Sequence, residues 1–218
     1  MKPLLSAYDS ACTTTVHVAR LVTPVGVMHV ASYARGVCAV VFDDRVEALE
    51  PRLRRAFGPF FRVEPGDPLD LAPRFSGYFN GDDAALAGVA IAAPATPMQQ
   101  RVWDMVRGVP QGQVTTYAAL AERMGMPRAQ RAVGVCLASN PVPILVPCHR
   151  VIAASGGLGS HPGGIAVKAA LLRHEGVMPV RDLAPARALR KRINLRERSG
   201  VTRGDGLDFV DLPLAIGS

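Results

Sequence analysis

Few cysteines and no long apolar run occur in this sequence, and each absence excludes a class of protein. Four cysteines stand far apart among 218 residues, which fits neither a disulfide-stapled scaffold nor a paired-cysteine zinc motif. No apolar stretch approaches the roughly 18 residues of a membrane span, and the start of the chain has no hydrophobic signal core. We therefore expect a cytoplasmic protein with free thiols, no metal, no cofactor and no membrane association.

Acidic residues are the scarcer charged type. The chain has 18 Asp and Glu residues against 25 Lys and Arg residues, a formal net charge of +7 and a sequence pI near 9.7. An excess of positive charge favours a polyanionic partner such as nucleic acid. A solvated arginine-rich surface explains the same composition equally well, so the charge leaves both readings open.

The hydrophobic pattern predicts two domains and a terminal extension. Residues 16–42 carry β-branched runs broken at Thr23 and Arg35, which predicts two or three antiparallel strands. Helical spacing follows at 44–57 and 72–81, with a Gly/Pro-rich connection between them. An alanine- and proline-rich joint then predicts an N-terminal α/β domain over 1–92, a second domain over 93–180 and a basic extension over 181–218.

The second domain is predicted to be mainly helical. Helices are expected over 97–109, 115–125 and 128–140, the last two joined by a short turn as in a helix-turn-helix, although an ordinary helical hairpin has the same pattern. Arg128 and Arg131 begin the last helix, and Ala132 and Gly134 are small, so that its backbone could enter a narrow groove of DNA. Close packing within the protein is the alternative explanation.

Cys148 is the candidate nucleophile. It lies in the stretch NPVPILVPCHRVIAAS (140–155), between Pro147 and His149, and a glycine-rich loop follows. A histidine can take the thiol proton and neighbouring positive charge lowers a thiol pKa, so we expect a thiolate near neutral pH. Glu175 could orient the histidine. These residues alone leave open a cysteine hydrolase, a thiol acceptor of alkyl or acyl groups, and a DNA-binding module with a structural cysteine.

A family resemblance selects among these classes. The string RAVGVCLASNPVPILVPCHRVI and the later VKAALLRHEG, within about 96–177, closely resemble the O6-alkylguanine-DNA alkyltransferases, or methylated-DNA–protein-cysteine methyltransferases. The resemblance implies a ribonuclease H-like N-terminal domain followed by a winged-helix or helix-turn-helix alkyltransferase domain. It also implies direct DNA repair, in which one alkyl group moves irreversibly from O6 of guanine, and by extension from O4 of thymine, to Cys148.

The resemblance implies roles for individual residues. His149 would act through a water as the base for Cys148, Glu175 would orient His149, and Asn140 would hold the turn before the cysteine loop. The partner would be double-stranded DNA, bound in the minor groove by a monomer, with the alkylated guanine flipped and cooperative binding left open. For DNA binding, the resemblance implies Arg131 in the base stack and Tyr117 at the target phosphate, and Arg128, Ala132 and Gly134 are the further predicted contacts. The predicted residues of the base pocket are Val151, Leu137, His161 and Gly163.

Two residues depart from the family pattern. His161 and Pro162 stand where the family commonly has a tyrosine and a residue whose backbone N–H faces the guanine O6. Proline has no N–H to donate. A protonated or suitably tautomeric His161 could replace the tyrosine as donor, and an ordinary pKa of about 6.5 would make its contribution depend on pH. The alternative function is a lesion sensor of the same fold that binds the damaged base without transfer.

Overall fold

The β-branched runs form the first three strands. In the computed structural model, which describes residues 14–82 and 84–177, these are β1 (Thr14–Thr23), β2 (Gly26–Tyr33) and β3 (Gly36–Phe42). β2 pairs antiparallel with both neighbours. The turn into β3 requires glycine, because a Cβ on Gly36, whose φ is +135°, would lie 2.5 Å from the carbonyl oxygen of Ala90. The prediction of antiparallel strands is confirmed.

A fourth strand lies in the segment predicted to be a connection. β4 (Phe61–Pro65) pairs parallel with β1 and gives the strand order β3-β2-β1-β4. The crossover to it is a 3-10 turn, Asp43–Ala48, followed by α1 (Leu49–Phe57), instead of one continuous helix, because Arg45 has non-helical angles. β4 is short, charged and at the sheet edge, and its sequence therefore carries little strand pattern.

The remaining elements are mainly helices. They are α2 (Leu71–Phe79), α3 (Pro97–Arg107), α4 (Tyr117–Arg123), α5 (Gln130–Ala138) and α6 (Gly164–His174). Thr96 and Gln99 form a capping box at the start of α3, and the Thr116 side chain caps α4. A two-residue parallel pair, β5 (Thr115–Thr116) and β6 (Val151–Ile152), was not predicted. The predicted α/β class, with a small N-terminal sheet and a helical second part, is confirmed.

A continuous core joins the sheet to the helical part. Val40, Phe75, Trp103 and Leu137 belong to one cluster of buried side chains. The backbone N–H of Val40 donates to the carbonyl of Pro141 over 2.7 Å. The N-terminal sheet is therefore in direct contact with the loop that precedes Cys148.

Some sequence-based predictions fall outside the described residues. The basic extension at 181–218 and the beginning of the predicted first domain belong to this group. Within 14–82 and 84–177, the helices are too short or too polar for any of them to traverse a lipid bilayer.

Candidate active site around Cys148

Cys148 begins a 3-10 turn, Cys148–Arg150, at the end of a loop held in an unusual conformation. The loop contains Ile144 with φ of +77°. A β-branched residue rarely adopts this conformation, which costs on the order of 1–3 kcal/mol and is concentrated at functional sites. The Cys148 side chain is only 3% exposed. The thiol can therefore meet only a group that enters the protein.

Asn140 connects the end of α5 to this loop. Its Oδ1 accepts from the backbone N–H of Val142 at 3.0 Å, and its Nδ2 donates to the carbonyl of Val146 at 2.9 Å. Nδ2 also lies 3.2 Å from the Sγ of Cys148. One buried amide thus fixes the loop and contacts the sulfur.

His149, Arg150 and Glu175 form a hydrogen-bonded network behind the thiol. His149 Nε2 lies 2.9 Å from Glu175 Oε1, and both side chains are fully buried. Arg150 donates to both carboxylate oxygens, from Nε at 2.9 Å and from Nη2 at 2.8 Å. Burial favours the neutral form of Glu175, but the hydrogen bonds and charges of His149 and Arg150 outweigh it and lower its pKa to about 2. The carboxylate is therefore ionised.

The ionised carboxylate fixes the tautomer of His149. Because a carboxylate only accepts, His149 Nε2 carries the proton and donates it to Glu175. Burial lowers the pKa of His149, against the opposing effect of Glu175. Its Nδ1 is buried and finds no hydrogen-bond partner among the described residues. This nitrogen therefore keeps a lone pair that can accept a proton.

The expected thiolate at neutral pH is not supported by the structure. Burial raises the pKa of Cys148 to about 11, although Asn140 and Lys168 act in the opposite direction. Arg150, the positive charge next to Cys148 in sequence, is used by Glu175 and by the carbonyl of Val109, to which Nη1 donates at 2.6 Å. The resting group is a thiol, and its proton must leave during the reaction.

His161 lies near His149, with ring centroids 6.4 Å apart. The backbone N–H of Gly163 donates to His161 Nδ1 at 3.0 Å, so the ring proton is on Nε2, which is buried without a partner among the described residues. Burial, with His149, Lys168 and Arg45 acting in the same direction, holds the pKa of His161 well below its usual value. Of the two predicted donor forms, the structure favours the neutral tautomer, and the expected titration near pH 6.5 is wrong.

The other predicted pocket residues divide into two groups. Leu137 and Val151 are buried in the same cluster as Cys148. Gly163 lies against the N-terminal sheet instead, because a Cβ there would come within 2.5 Å of the Phe42 ring. Gly163 thus permits close packing and fixes the His161 tautomer.

The predicted DNA-binding residues lie on α4, on α5 and in the turn between them. Arg128 was predicted to begin the second of these helices but precedes it, because α5 starts at Gln130. Arg128, Arg131 and Ala132 are exposed, whereas Gly134 is half-buried, with its Cβ position 3.9 Å from the Tyr117 ring. The Tyr117 hydroxyl would lie 2.7 Å from a Cβ on Gly159. Val135 on α5 is 69% exposed and was not singled out from the sequence. Gly134 and Gly159 therefore leave space for Tyr117, whose pKa is raised by burial and by Cys148.

Comparisons with known proteins show which family the chain belongs to. The model of the 6-O-methylguanine DNA methyltransferase DNA-binding domain matches residues 97–177. A methylated-DNA–protein-cysteine methyltransferase of Salmonella typhimurium is 41% identical over 137 residues, which are 63% of this chain and 80% of the relative. This chain belongs to the methylated-DNA–protein-cysteine methyltransferase family.

Solved structures of methyltransferases have the same fold. The crystal structure of the Mycobacterium tuberculosis O6-methylguanine methyltransferase has a TM-score of 0.62 and 32% identity, covering 78% of this chain and 96% of that one. The Mycobacterium tuberculosis OGT in complex with DNA has a TM-score of 0.61 and 31% identity, covering 80% and 98%.

Lys168 also lies in the site, although the sequence pattern did not predict it. Its side chain is fully buried on α6, and Nζ donates to the carbonyl of Val151 at 2.5 Å and lies 5.9 Å from the centre of the Tyr117 ring. Burial lowers its pKa to about 8, although Cys148 acts in the opposite direction. Its position in the apolar run IAVKAALL could have indicated a buried lysine, because a helix of this sequence has no polar face on which the side chain would be exposed.

Proposed function

We propose that this chain repairs DNA by transferring the alkyl group of O6-alkylguanine to Cys148, as a methylated-DNA–protein-cysteine methyltransferase. The observation that carries the proposal is a buried thiol beside a histidine whose tautomer leaves Nδ1 free as a base, in a member of that family. Lesion sensing without transfer, the alternative function, is not favoured by the relatives' names. O4-alkylthymine is a second substrate by the same chemistry.

The reaction needs one proton transfer and one displacement. The thiol proton of Cys148 passes through a bridging water to Nδ1 of His149, and the sulfur attacks the alkyl carbon. The carbon–O6 bond breaks, and the guanine takes up the proton in place of the alkyl group. Charge from Lys168 and a hydrogen bond from Asn140 stabilise the thiolate as it forms. A thioether is a poor leaving group, so each molecule reacts once.

His161 donates a hydrogen bond to O6 as that bond breaks. The Nε2–H is the buried donor without a protein partner in the 161–163 loop, and Gly163 holds the ring so that this nitrogen carries the proton. A neutral donor stabilises negative charge developing on the leaving oxygen. Pro162 has no N–H to add, and the histidine therefore supplies this interaction alone at that edge.

DNA approaches through α4 and α5. Because the thiol is 3% exposed, a base stacked in a duplex cannot reach it, and the alkylated nucleotide must be flipped at a cost of about a few kcal/mol. Arg131 fills the vacated position in the stack from the minor groove, and Tyr117 crowds the target phosphate. The close approach of DNA is allowed by Arg128, Ala132 and Gly134. The flipped base is contacted by Leu137 and Val151. The protein acts as a monomer in the compartment that holds DNA.

Intact-protein mass after incubation with a duplex carrying one O6-methylguanine tests the transfer. We expect the mass of a single methyl group on the parent protein, at most one per molecule, and none on Cys148→Ala. Tight binding of the lesion without any mass change would instead identify a sensor.

Fluorescence of a 2-aminopurine placed beside the lesion tests flipping. We expect the emission to rise with the parent protein and with Arg107→Ala, an exposed change at the end of α3, but to rise far less with Arg131→Ala. Equal emission from all three proteins would contradict the role of Arg131.

A further inference from the structure

Helix α2 brings one residue of the N-terminal part of the chain into the catalytic network. Tyr78 is 3% exposed, and its hydroxyl donates to Glu175 Oε1 over 2.7 Å. The same oxygen accepts from Nε2 of His149 and from Nη2 of Arg150. A residue 97 positions earlier in the chain therefore contacts the atom that holds the catalytic histidine.

The Tyr78 ring is held independently of its hydroxyl. Its ring packs edge-on against Phe79, with centroids 4.9 Å apart, and against His174 at 5.2 Å. His174 Nε2 also donates to the backbone carbonyl of Tyr78 at 3.0 Å. Removal of the hydroxyl alone should therefore leave α2 in place against the end of α6.

We propose that Tyr78 is a positioning residue for alkyl transfer: its hydroxyl holds Glu175 Oε1 against His149 and moderates how strongly that oxygen attracts the histidine proton. The proposal rests on the proposed function of Cys148 and His149. It assigns the N-terminal part of the chain a contribution to the chemistry, beyond supporting the fold.

The sign of the effect follows from the charge on Glu175. A hydrogen bond from a neutral hydroxyl spreads the negative charge of the carboxylate, so less of it acts on His149. Without the hydroxyl, Glu175 favours the protonated histidine more strongly and the pKa of His149 rises. Protonated His149 cannot accept the thiol proton, and the acidic limb of the rate profile should move to higher pH.

The groups that act on His149 come from four elements, and Tyr78→Phe changes one of them. They are Arg150 of its own turn, Lys168 of α6 and Glu175 at the end of α6, together with His161 of the following loop, whose ring lies 6.4 Å away, and Tyr78 of α2, which acts through Glu175. Arg150 still holds both oxygens of Glu175 in the variant. The geometry should therefore persist while the charge balance changes.

The test compares Tyr78→Phe with Tyr33→Phe. Tyr33 is the matched control, since it is a partly buried phenol on β2 that packs edge-on against Phe57, in a cluster separate from that of Cys148. The probe is O6-benzylguanine as a free base, which separates chemistry from DNA binding. The rate of benzyl transfer to Cys148 is measured from pH 5.5 to 9 by intact mass.

We expect the acidic limb of Tyr78→Phe to move up by about half a pH unit, with a rate about threefold lower at the acidic end and a plateau within about twofold of the parent. Tyr33→Phe should superimpose on the parent. A superimposable profile for Tyr78→Phe, or a uniform loss at every pH together with a lower Tm, overturns the proposal.

An NMR titration of the His149 ring in both variants measures the same shift without any substrate. A higher midpoint in Tyr78→Phe supports the positioning role, and an unchanged midpoint overturns it. If the parent protein transferred no alkyl group at all, the proposed function would fail, and the titration would still decide the role of Tyr78.

Discussion

The amide nitrogen of Asn140 lies 3.2 Å from the sulfur of Cys148 and joins the end of α5 to the acceptor. The same side chain holds the backbone of the intervening loop at Val142 and Val146. The helix predicted to bind DNA and the residue predicted to accept the alkyl group are therefore mechanically connected. A substitution that displaces the end of α5 should therefore also affect Cys148, and the reverse.

Asn140→Ala should both destabilise the protein and slow alkyl transfer. It removes three hydrogen bonds from a fully buried position, which we expect to lower the free energy of unfolding by about 2–4 kcal/mol. The exposed Asn80→Ala at the end of α2 is the control and should change stability by less than about 0.5 kcal/mol. Urea unfolding measures the stability of both variants. A loss of stability in Asn140→Ala no larger than that of the control would contradict the proposed connection between α5 and the Cys148 loop.

Lys168→Met should slow transfer by about tenfold, because the buried cation lowers the pKa of the Cys148 thiol and one pKa unit changes the thiolate fraction tenfold. The pKa of Lys168 is about 8, so the difference between parent and variant should be largest below pH 8 and shrink above it. Arg173→Met, exposed on the same helix, is the control. Single-turnover rates from pH 6 to 9 provide the comparison, and a constant ratio across that range would exclude this role.

The ionised Glu175 carboxylate stabilises the fold of the parent protein at neutral pH but not in acid. Glu175→Gln should remove this stabilisation. The folded-state pKa of Glu175 is lowered from 4.5 to about 2, so its contribution is fully present above about pH 4.5 and is lost as the pH falls towards 2. The change also leaves Arg150 without its anion, at a cost of about 3–5 kcal/mol at neutral pH.

Urea unfolding of parent and Glu175→Gln from pH 2.5 to 7 should show a stability difference that narrows as the pH falls. Glu50→Gln on the surface of α1, where Glu50 pairs with Arg54, should cost less than about 1 kcal/mol. A Glu175→Gln difference that is independent of pH would show that the carboxylate is not preferentially ionised in the fold.

His161→Phe should slow transfer on the order of tenfold or more, because it keeps a ring but removes the hydrogen-bond donor. His161→Tyr should recover most of the rate. Since burial keeps the pKa of His161 well below 6.5, the ratio of parent to His161→Phe should stay flat from pH 6.5 to 8. His17→Phe on β1 is the control. Transfer rates measured with an O6-methylguanine duplex test this prediction, and a ratio that rises as the pH falls from 8 to 6.5 would indicate a protonated donor.

Local pattern was sufficient for most of the secondary structure. Runs of β-branched residues determined β1 to β3, and helical spacing determined α3 to α5, with Thr caps at α3 and α4, because these signals depend on neighbours along the chain. The prediction that Cys148 is the alkyl acceptor came from the family resemblance of the string around it, because the cysteine and its immediate neighbours alone left three classes of protein open. β4 was missed because a short edge strand is specified by the strand it pairs with, β1, rather than by its own five residues.

The protonation states of the site were decided only by tertiary structure. The sequence places positive charge beside Cys148, yet burial raises the pKa of the thiol, Arg150 is taken up by Glu175, and the cation that acts on the sulfur is Lys168 from α6. Tyr78 reaches the same carboxylate from the other part of the chain. Desolvation and contacts between distant segments arise only when the chain packs, so a motif can name the nucleophile but cannot state how its proton leaves.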